Sequence, residues 1–176
     1  IRLCRLQLAL MSELFTWIFV AALCAQVLLK LWLATRQQRH IAAHRHAVPA
    51  FFFFFFSLAA HQKAADYSTA QLRLGQIELF VGAALLLAWT LFGGLQWLNT
   101  ALLQQLAPGL VQQMALLMAF VVISALLDLP FDAWRTFVLE AKFGFNKTSW
   151  QLWLGDMFKG ALLGAVIGLP ILALVL

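Results

Sequence analysis

Apolar positions along the chain gather into four long runs, separated by segments where polar and charged residues return. The runs extend from Leu14 to Leu33, from about Ile77 to Leu98, from Leu110 to Leu129 and from Leu152 to Leu176. Each reaches the roughly 20 residues that a helix needs to cross the hydrocarbon core of a bilayer. Lys30 stands near the end of the first run, where its charge can snorkel to the headgroups. Pro108-Gly109 before the third run is a turn signal. In lipid each backbone amide must find its partner inside its own segment, so the runs predict helices rather than open strands. The predicted class is all-α: a polytopic transmembrane bundle of about four spanning helices.

Composition supports lipid as the solvent. Of the 176 residues, 64% are hydrophobic and 11% are charged, with a mean hydropathy of +0.89. Soluble domains average about 45–50% apolar and about 25% charged. Too few polar side chains are present to clothe a water-facing globule of this size.

The net charge is +5, and its distribution predicts orientation. Arg36, Arg39, Arg45, Lys63 and Arg73 lie between the first and second runs, and Arg135, Lys142 and Lys147 between the third and fourth. No base lies between the second and third. Successive helices reverse direction, so both basic connections share one side, which the positive-inside rule places in the cytoplasm with the N-terminus outside. Arg2 and Arg5 oppose this and are outnumbered. Because the bases flank apolar runs, topology control explains them better than nucleic acid, and no nucleic-acid partner is expected. Cys4 and Cys24 form no CxxC and suggest neither a zinc knuckle nor a disulfide framework. Met11-Ser12-Glu13 reads as a natural start, making residues 1–10 upstream translation or an extra N-terminal segment. No signal-peptide cleavage site precedes a soluble domain. The chain stops at Leu176 with no charged flank after the fourth run, which reads as truncation.

Candidate chemistry is sparse. His40 and His44 share one helix face at i,i+4 and can share a metal. The hydrolytic version of that spacing is H-E-x-x-H, and Ile41 holds the place of its glutamate. Arg36, Arg39 and Arg45 repel a cation, so a basic juxtamembrane segment is the preferred reading. His46 and His61 read as loop residues. Asp128 and Asp132 bracket Pro130 at the end of the third run, Asp156 and Lys159 can pair on the fourth, and Glu78 opens the second. These charges either form interfacial pairs and caps or face a polar cavity between helices. Gly160, Gly164 and Gly168 share one face and permit close helix approach, within this bundle or at a homodimer seam. Phe51 to Phe56, six phenylalanines in a row, are too few to span; they can dip into the interface as an anchor.

Two stretches resemble a known family. One is Leu58-Ala59-Ala60-His61-Gln62-Lys63-Ala64-Ala65-Asp66-Tyr67-Ser68, followed by Arg73 and Gly75. The other begins at Leu129-Pro130-Phe131, continues from Thr136 through Phe137-Val138-Leu139-Glu140-Ala141-Lys142-Phe143-Gly144-Phe145-Asn146-Lys147-Thr148, and ends with Asp156 and Lys159. Together, over nearly everything from Met11 to Leu176, they look like the N-terminal membrane domain of the type I CAAX prenyl proteases and their bacterial relatives. The pattern F-V-[IL]-E-x-K-[FH]-G-F-N-K-[QT] is long and specific. The phenylalanine run departs from the mixed, partly charged segment usual at that place.

The resemblance implies a multi-helix intramembrane chamber that belongs to a zinc metalloendopeptidase acting on prenylated CAAX-type or other membrane-associated peptides, here in a bacterial inner membrane. It also implies that zinc is held by H-E-x-x-H on polypeptide beyond Leu176. No zinc ligand and no catalytic residue transfers to this chain. Asp66, Tyr67, Glu140, Lys142, Gly144, Phe145, Asn146 and Asp156 do transfer, as structural or chamber-lining positions. The implied partners are the lipid bilayer, the C-terminal catalytic half and a peptide or protein substrate. Physically, Gly144 permits a tight turn, Asn146 can bond a turn backbone or cap the segment after it, and Glu140 and Lys142 at i,i+2 need separate partners. The alternatives are a membrane scaffold or lipid-binding module without catalysis, and a small transporter lined by Asp128, Asp156 and Lys159.

Overall fold

A computed structural model describes residues 2–46 and 57–175, with side chains from residue 10 onward. The run Phe51–Phe56 and the side chains of Arg2, Cys4 and Arg5 lie outside the described residues. The order is α1 (Arg2–His44), α2 (Leu58–Thr90), α3 (Gly94–Leu103), α4 (Leu110–Trp134), a π-helical turn (Arg135–Glu140) and α5 (Trp150–Val175). Among the described residues, four helical stretches are long and apolar enough to cross a membrane: Leu10–His44, Leu58–Thr90, Leu110–Glu140 and Trp150–Val175. The chain divides into two compact units, Ile1–Ala84 and Leu85–Leu176.

In the first unit, helices outrun the predicted spans. Polarity returns after Leu33, yet α1 continues to His44. At about 1.5 Å per residue, residues 34–44 carry the helix some 16 Å past the apolar run. Nothing in Ala34–His44 breaks a helix, and polar residues cost a helix nothing where water begins. α2 likewise starts at Leu58, 19 residues before the predicted Ile77. Ser57 starts it: its Oγ accepts from Ala60 N at 3.2 Å and its carbonyl from His61 N at 3.1 Å. His61, expected in a loop, and the Ala-x-Asp-Tyr element are therefore on a helix.

In the second unit, α2 stops at Thr90 rather than at Leu98. Leu91 N and Phe92 N both donate to Leu87 O, at 2.8 and 3.0 Å, and Gly93 then takes φ +77°. Gly94 is required next because a Cβ there would stand 2.8 Å from Ala88 O and 2.9 Å from Trp89 Cε3. This Gly-Gly turn launches α3, ten residues that the apolar run had hidden and that are too short to span. Gln112, buried on α4, donates to Asn99 Oδ1 on α3 at 2.5 Å. Trp89 meets Phe120 edge-on at 5.2 Å between ring centroids.

Pro130 does not end the third helix. The helix runs through it and widens into the π-helical turn, so Asp128, Asp132 and Arg135 all sit on one continuous helical rod. A transmembrane helix tolerates the amide that proline lacks because neighbouring groups and local π adjustments satisfy the freed carbonyl. Large apolar side chains stay exposed on every span, including Trp17, Val121, Phe158 and Leu174. Only Leu74, Leu98 and Leu139 are buried apolar residues among those described. Surfaces of this kind need lipid or further helices to cover them.

Candidate functional site

The motif Phe137–Thr148 builds the hairpin that returns α4 to α5. The helical rod ends in a Schellman arrangement. Gly144, at φ +70°, donates its N–H to Ala141 O at 3.0 Å, and Phe145 N donates to Glu140 O at 2.9 Å. Asn146 N adds a longer bond to Glu140 O at 3.3 Å. The next residues prepare the following helix. Thr148 N donates to Asn146 Oδ1 at 2.6 Å, an Asx turn, and Ser149 caps α5 by accepting from Leu152 N at 3.3 Å. Phe-Gly-Phe-Asn-Lys-Thr-Ser thus spells one helix stop, one turn and one helix start.

Aromatic side chains lock this hairpin. Phe137 stacks on Trp150, with centroids 3.6 Å apart and planes 14° apart. Trp153 meets Phe137 and Trp150 edge-on, at 5.8 and 5.7 Å. Trp153 Nε1–H donates to Asp132 Oδ2 at 2.9 Å, tying α5 to α4 below the turn. The π-helical turn sets the register between Asp132 and Phe137 that lets one face of α5 meet both. Lys142 Nζ lies 5.9 Å from the centre of the Phe143 ring, within cation–π range. Asp156 pairs with Lys159 at 3.7 Å on the exposed face of α5.

Asp66 and Tyr67 belong to the first unit. Arg45 reaches Asp66 through a two-pronged contact, Nε to Oδ1 at 2.9 Å and Nη2 to Oδ2 at 2.8 Å. This fork, with the carboxylate beside it, holds the Arg45 guanidinium above its ordinary value. Next to it, His61 Nε2 lies 3.0 Å from His44 O, and Gln62 Nε2 lies 3.2 Å from His46 Nδ1. The end of α1 is thereby fastened to the start of α2. Tyr67 is half-buried on the same helix.

Of the transferred positions, Glu140, Lys142, Gly144, Phe145 and Asn146 come together in one helix cap. Asp156 lies further along α5, and Asp66 and Tyr67 form part of the other unit's hairpin. Sequence reasoning overlooked Asp132, Phe137, Trp150 and Trp153 as a group. Their signal was the pair of tryptophans at i,i+3 opening a helix, which only a partner across the turn makes meaningful. His40 and His44 have ring centroids 4.3 Å apart, and His44 Nδ1 lies 2.9 Å from His40 O. Among the described residues no group of three or more His, Cys, Asp or Glu is placed to hold a metal. The donors present do not fit a zinc ion, which takes four ligands in structural sites and three in catalytic ones.

The family model for the CAAX prenyl protease N-terminal domain, described as five membrane helices, matches residues 37–176. The chain belongs to this family. The match begins within α1 and includes the fork, the α4–α5 hairpin and the whole motif. CAAX prenyl protease 1 of Saccharomyces cerevisiae is 33% identical over 124 residues, covering 65% of this chain and 27% of that protein. The rice CAAX prenyl protease 1 homolog is 42% identical over 67 residues, 38% of this chain and 16% of that one. In the crystal structure of S. mikatae Ste24p the same helical fold recurs, with a TM-score of 0.78 and 26% identity over 86% of this chain and 36% of that one. The chain thus matches only 16% to 27% of the length of these two curated relatives, and corresponds to the family's N-terminal membrane part.

Proposed function

We propose that the intact protein is a zinc metalloendopeptidase, that it cleaves prenylated CAAX-type or other membrane-associated peptides, and that this chain is its membrane wall. The match of the family's N-terminal model over residues 37–176 carries the proposal. In this reading the metal ligands and the hydrolytic chemistry belong to polypeptide outside this chain. The residues of the motif act here as builders. The Gly144 cap, the Asn146 turn and the Phe137–Trp150–Trp153 cluster fix the angle between two spanning helices, and so the shape of any chamber they line. Glu140, half-buried at the last helical turn, is proposed to face a basic group of the catalytic half. Both basic connections are placed on the cytoplasmic side, in keeping with the positive-inside bias.

The test is hydrolysis of a farnesylated C-terminal peptide by a longer polypeptide that begins with this chain. Cleavage that a chelator abolishes, and that Glu140→Lys lowers without lowering zinc content, is the expected result. Cleavage of the same peptide by residues 1–176 alone contradicts the assignment of chemistry, and full activity of Glu140→Lys contradicts the role given to Glu140.

A further inference from the structure

Residues 14–65 carry Lys30, Arg36, Arg39, Arg45 and Lys63 and not one acidic residue. α1 sorts this charge into two faces. Leu23, Val27, Leu31, Ala34, Gln38, Ile41 and Arg45 are partly covered, and they recur at helical spacing. This is the face that delivers Arg45 to Asp66. Trp32, Arg36, Arg39 and Ala43 fall within about 60° of one another on the far side, and all four are exposed. Arg36 lies over the Trp32 indole, its Cζ 5.6 Å from the ring centroid. No carboxylate pairs with Arg36 or Arg39 among the described residues.

The stripe begins where the apolar run ends. A tryptophan at that level sits at the boundary between hydrocarbon and headgroups. Arg36 then stands one helical turn further out, about 6 Å along the axis, and Arg39 about 10 Å from Trp32, which spans the headgroup layer. Two guanidinium forks at that depth, on a helix face turned away from α2, stand at the level of lipid phosphodiesters. Arginine suits them because its planar donors bind phosphate oxygens in pairs.

We propose that the Trp32–Arg36–Arg39 stripe is a binding site for the headgroups of anionic phospholipids, with Trp32 setting depth and the two arginines holding the phosphate. The site is independent of peptidase activity. Each base near an anionic surface contributes about a fivefold preference, so the pair accounts for roughly twenty-five-fold.

The full chain is placed in nanodiscs of equimolar phosphatidylcholine and phosphatidylglycerol, extracted gently, and its retained lipids are counted by mass spectrometry. The wild type is expected to retain phosphatidylglycerol preferentially. Arg36→Gln with Arg39→Gln loses most of that preference with an unchanged circular dichroism spectrum, whereas Arg36→Lys with Arg39→Lys keeps the larger part. Lys159→Gln, a base removed elsewhere, leaves it intact. Equal retention by the wild type and the double glutamine variant overturns the proposal. So does an equal loss in Lys159→Gln, which marks a diffuse charge effect, or displacement of the lipid by millimolar inorganic phosphate, which marks a free-anion site.

Discussion

Replacing Gly144 by alanine is the sharpest probe of the motif's structural job. Gly144 sits at φ +70°, where an L side chain costs about 1–2 kcal/mol. Escape by rotating the backbone is no easier. It breaks Gly144 N–Ala141 O and Phe145 N–Glu140 O, each contributing about 0.5–1.5 kcal/mol net. Either route destabilises the hairpin by roughly 1–2 kcal/mol, which at about 2–4 °C per kcal/mol lowers the melting temperature by several degrees. Gly144→Asn recovers much of the loss because asparagine visits the left-handed region more readily. Gly160→Ala supplies the opposite sign. Gly160 is helical with open space where its Cβ would go, so alanine there gains up to about 1 kcal/mol. Thermal unfolding in detergent, followed by tryptophan emission, reads the loss, since Trp150 and Trp153, two of the seven tryptophans, begin the helix beyond the turn. Melting of Gly144→Ala together with the wild type, or of Gly144→Asn as early as Gly144→Ala, refutes the reasoning.

Further outcomes rest on the other contacts. Trp150→Ala removes the stack on Phe137 and destabilises more than Trp153→Phe, which loses the bond to Asp132 and part of the indole but keeps an aromatic ring against Phe137 and Trp150; a ring pair contributes about 0.5–1.5 kcal/mol beyond the area it buries, and the two melting curves rank them. A double-mutant cycle on Asn99→Ala and Gln112→Ala gives a coupling of about 0.6 kcal/mol, and at most about 1.7 kcal/mol, as for polar pairs between helices of membrane proteins. The Arg45–Asp66 fork raises the folded-state value of Arg45, so the arginine's share of stability is present below its unfolded value and fades only as pH climbs through the folded one. The difference in melting between wild type and Arg45→Gln therefore stays constant from neutral to mildly alkaline pH. Single cysteines at Gln62 and Lys147 react with an impermeant maleimide from the cytoplasmic side, and one at Leu106 from the other, once Cys4 and Cys24 are replaced.

Hydropathy alone located all four spanning segments, because a 20-residue apolar run has one favourable conformation in lipid. It misplaced their ends. Apolar content reports where lipid stops, while a helix stops where its hydrogen bonds find another partner, at Ser57 or at Gly93. The α2–α3 break was invisible in an unbroken apolar run, since Gly93-Gly94 reads equally well as packing within a helix. Pro130 misled in the other direction, because membrane helices absorb a proline that water-soluble helices reject. The roles of Gly144 and Asn146 were readable because both act on their own backbone neighbourhood. Asp132, Phe137 and Trp153 were not, because their partnership needs the π-helical turn, a register shift that no spacing rule announces. Arg45 and Asp66, 21 residues apart, needed the hairpin to be closed first.

The proposed division of labour, a helical wall here and a metal site borne elsewhere, is tested most directly by zinc content. Residues 1–176, purified in detergent and dialysed against buffered zinc, should hold substoichiometric metal, while a longer polypeptide that begins with this chain should hold one zinc per molecule. One tightly held zinc in the shorter polypeptide, lost on replacing His40 and His44, contradicts it.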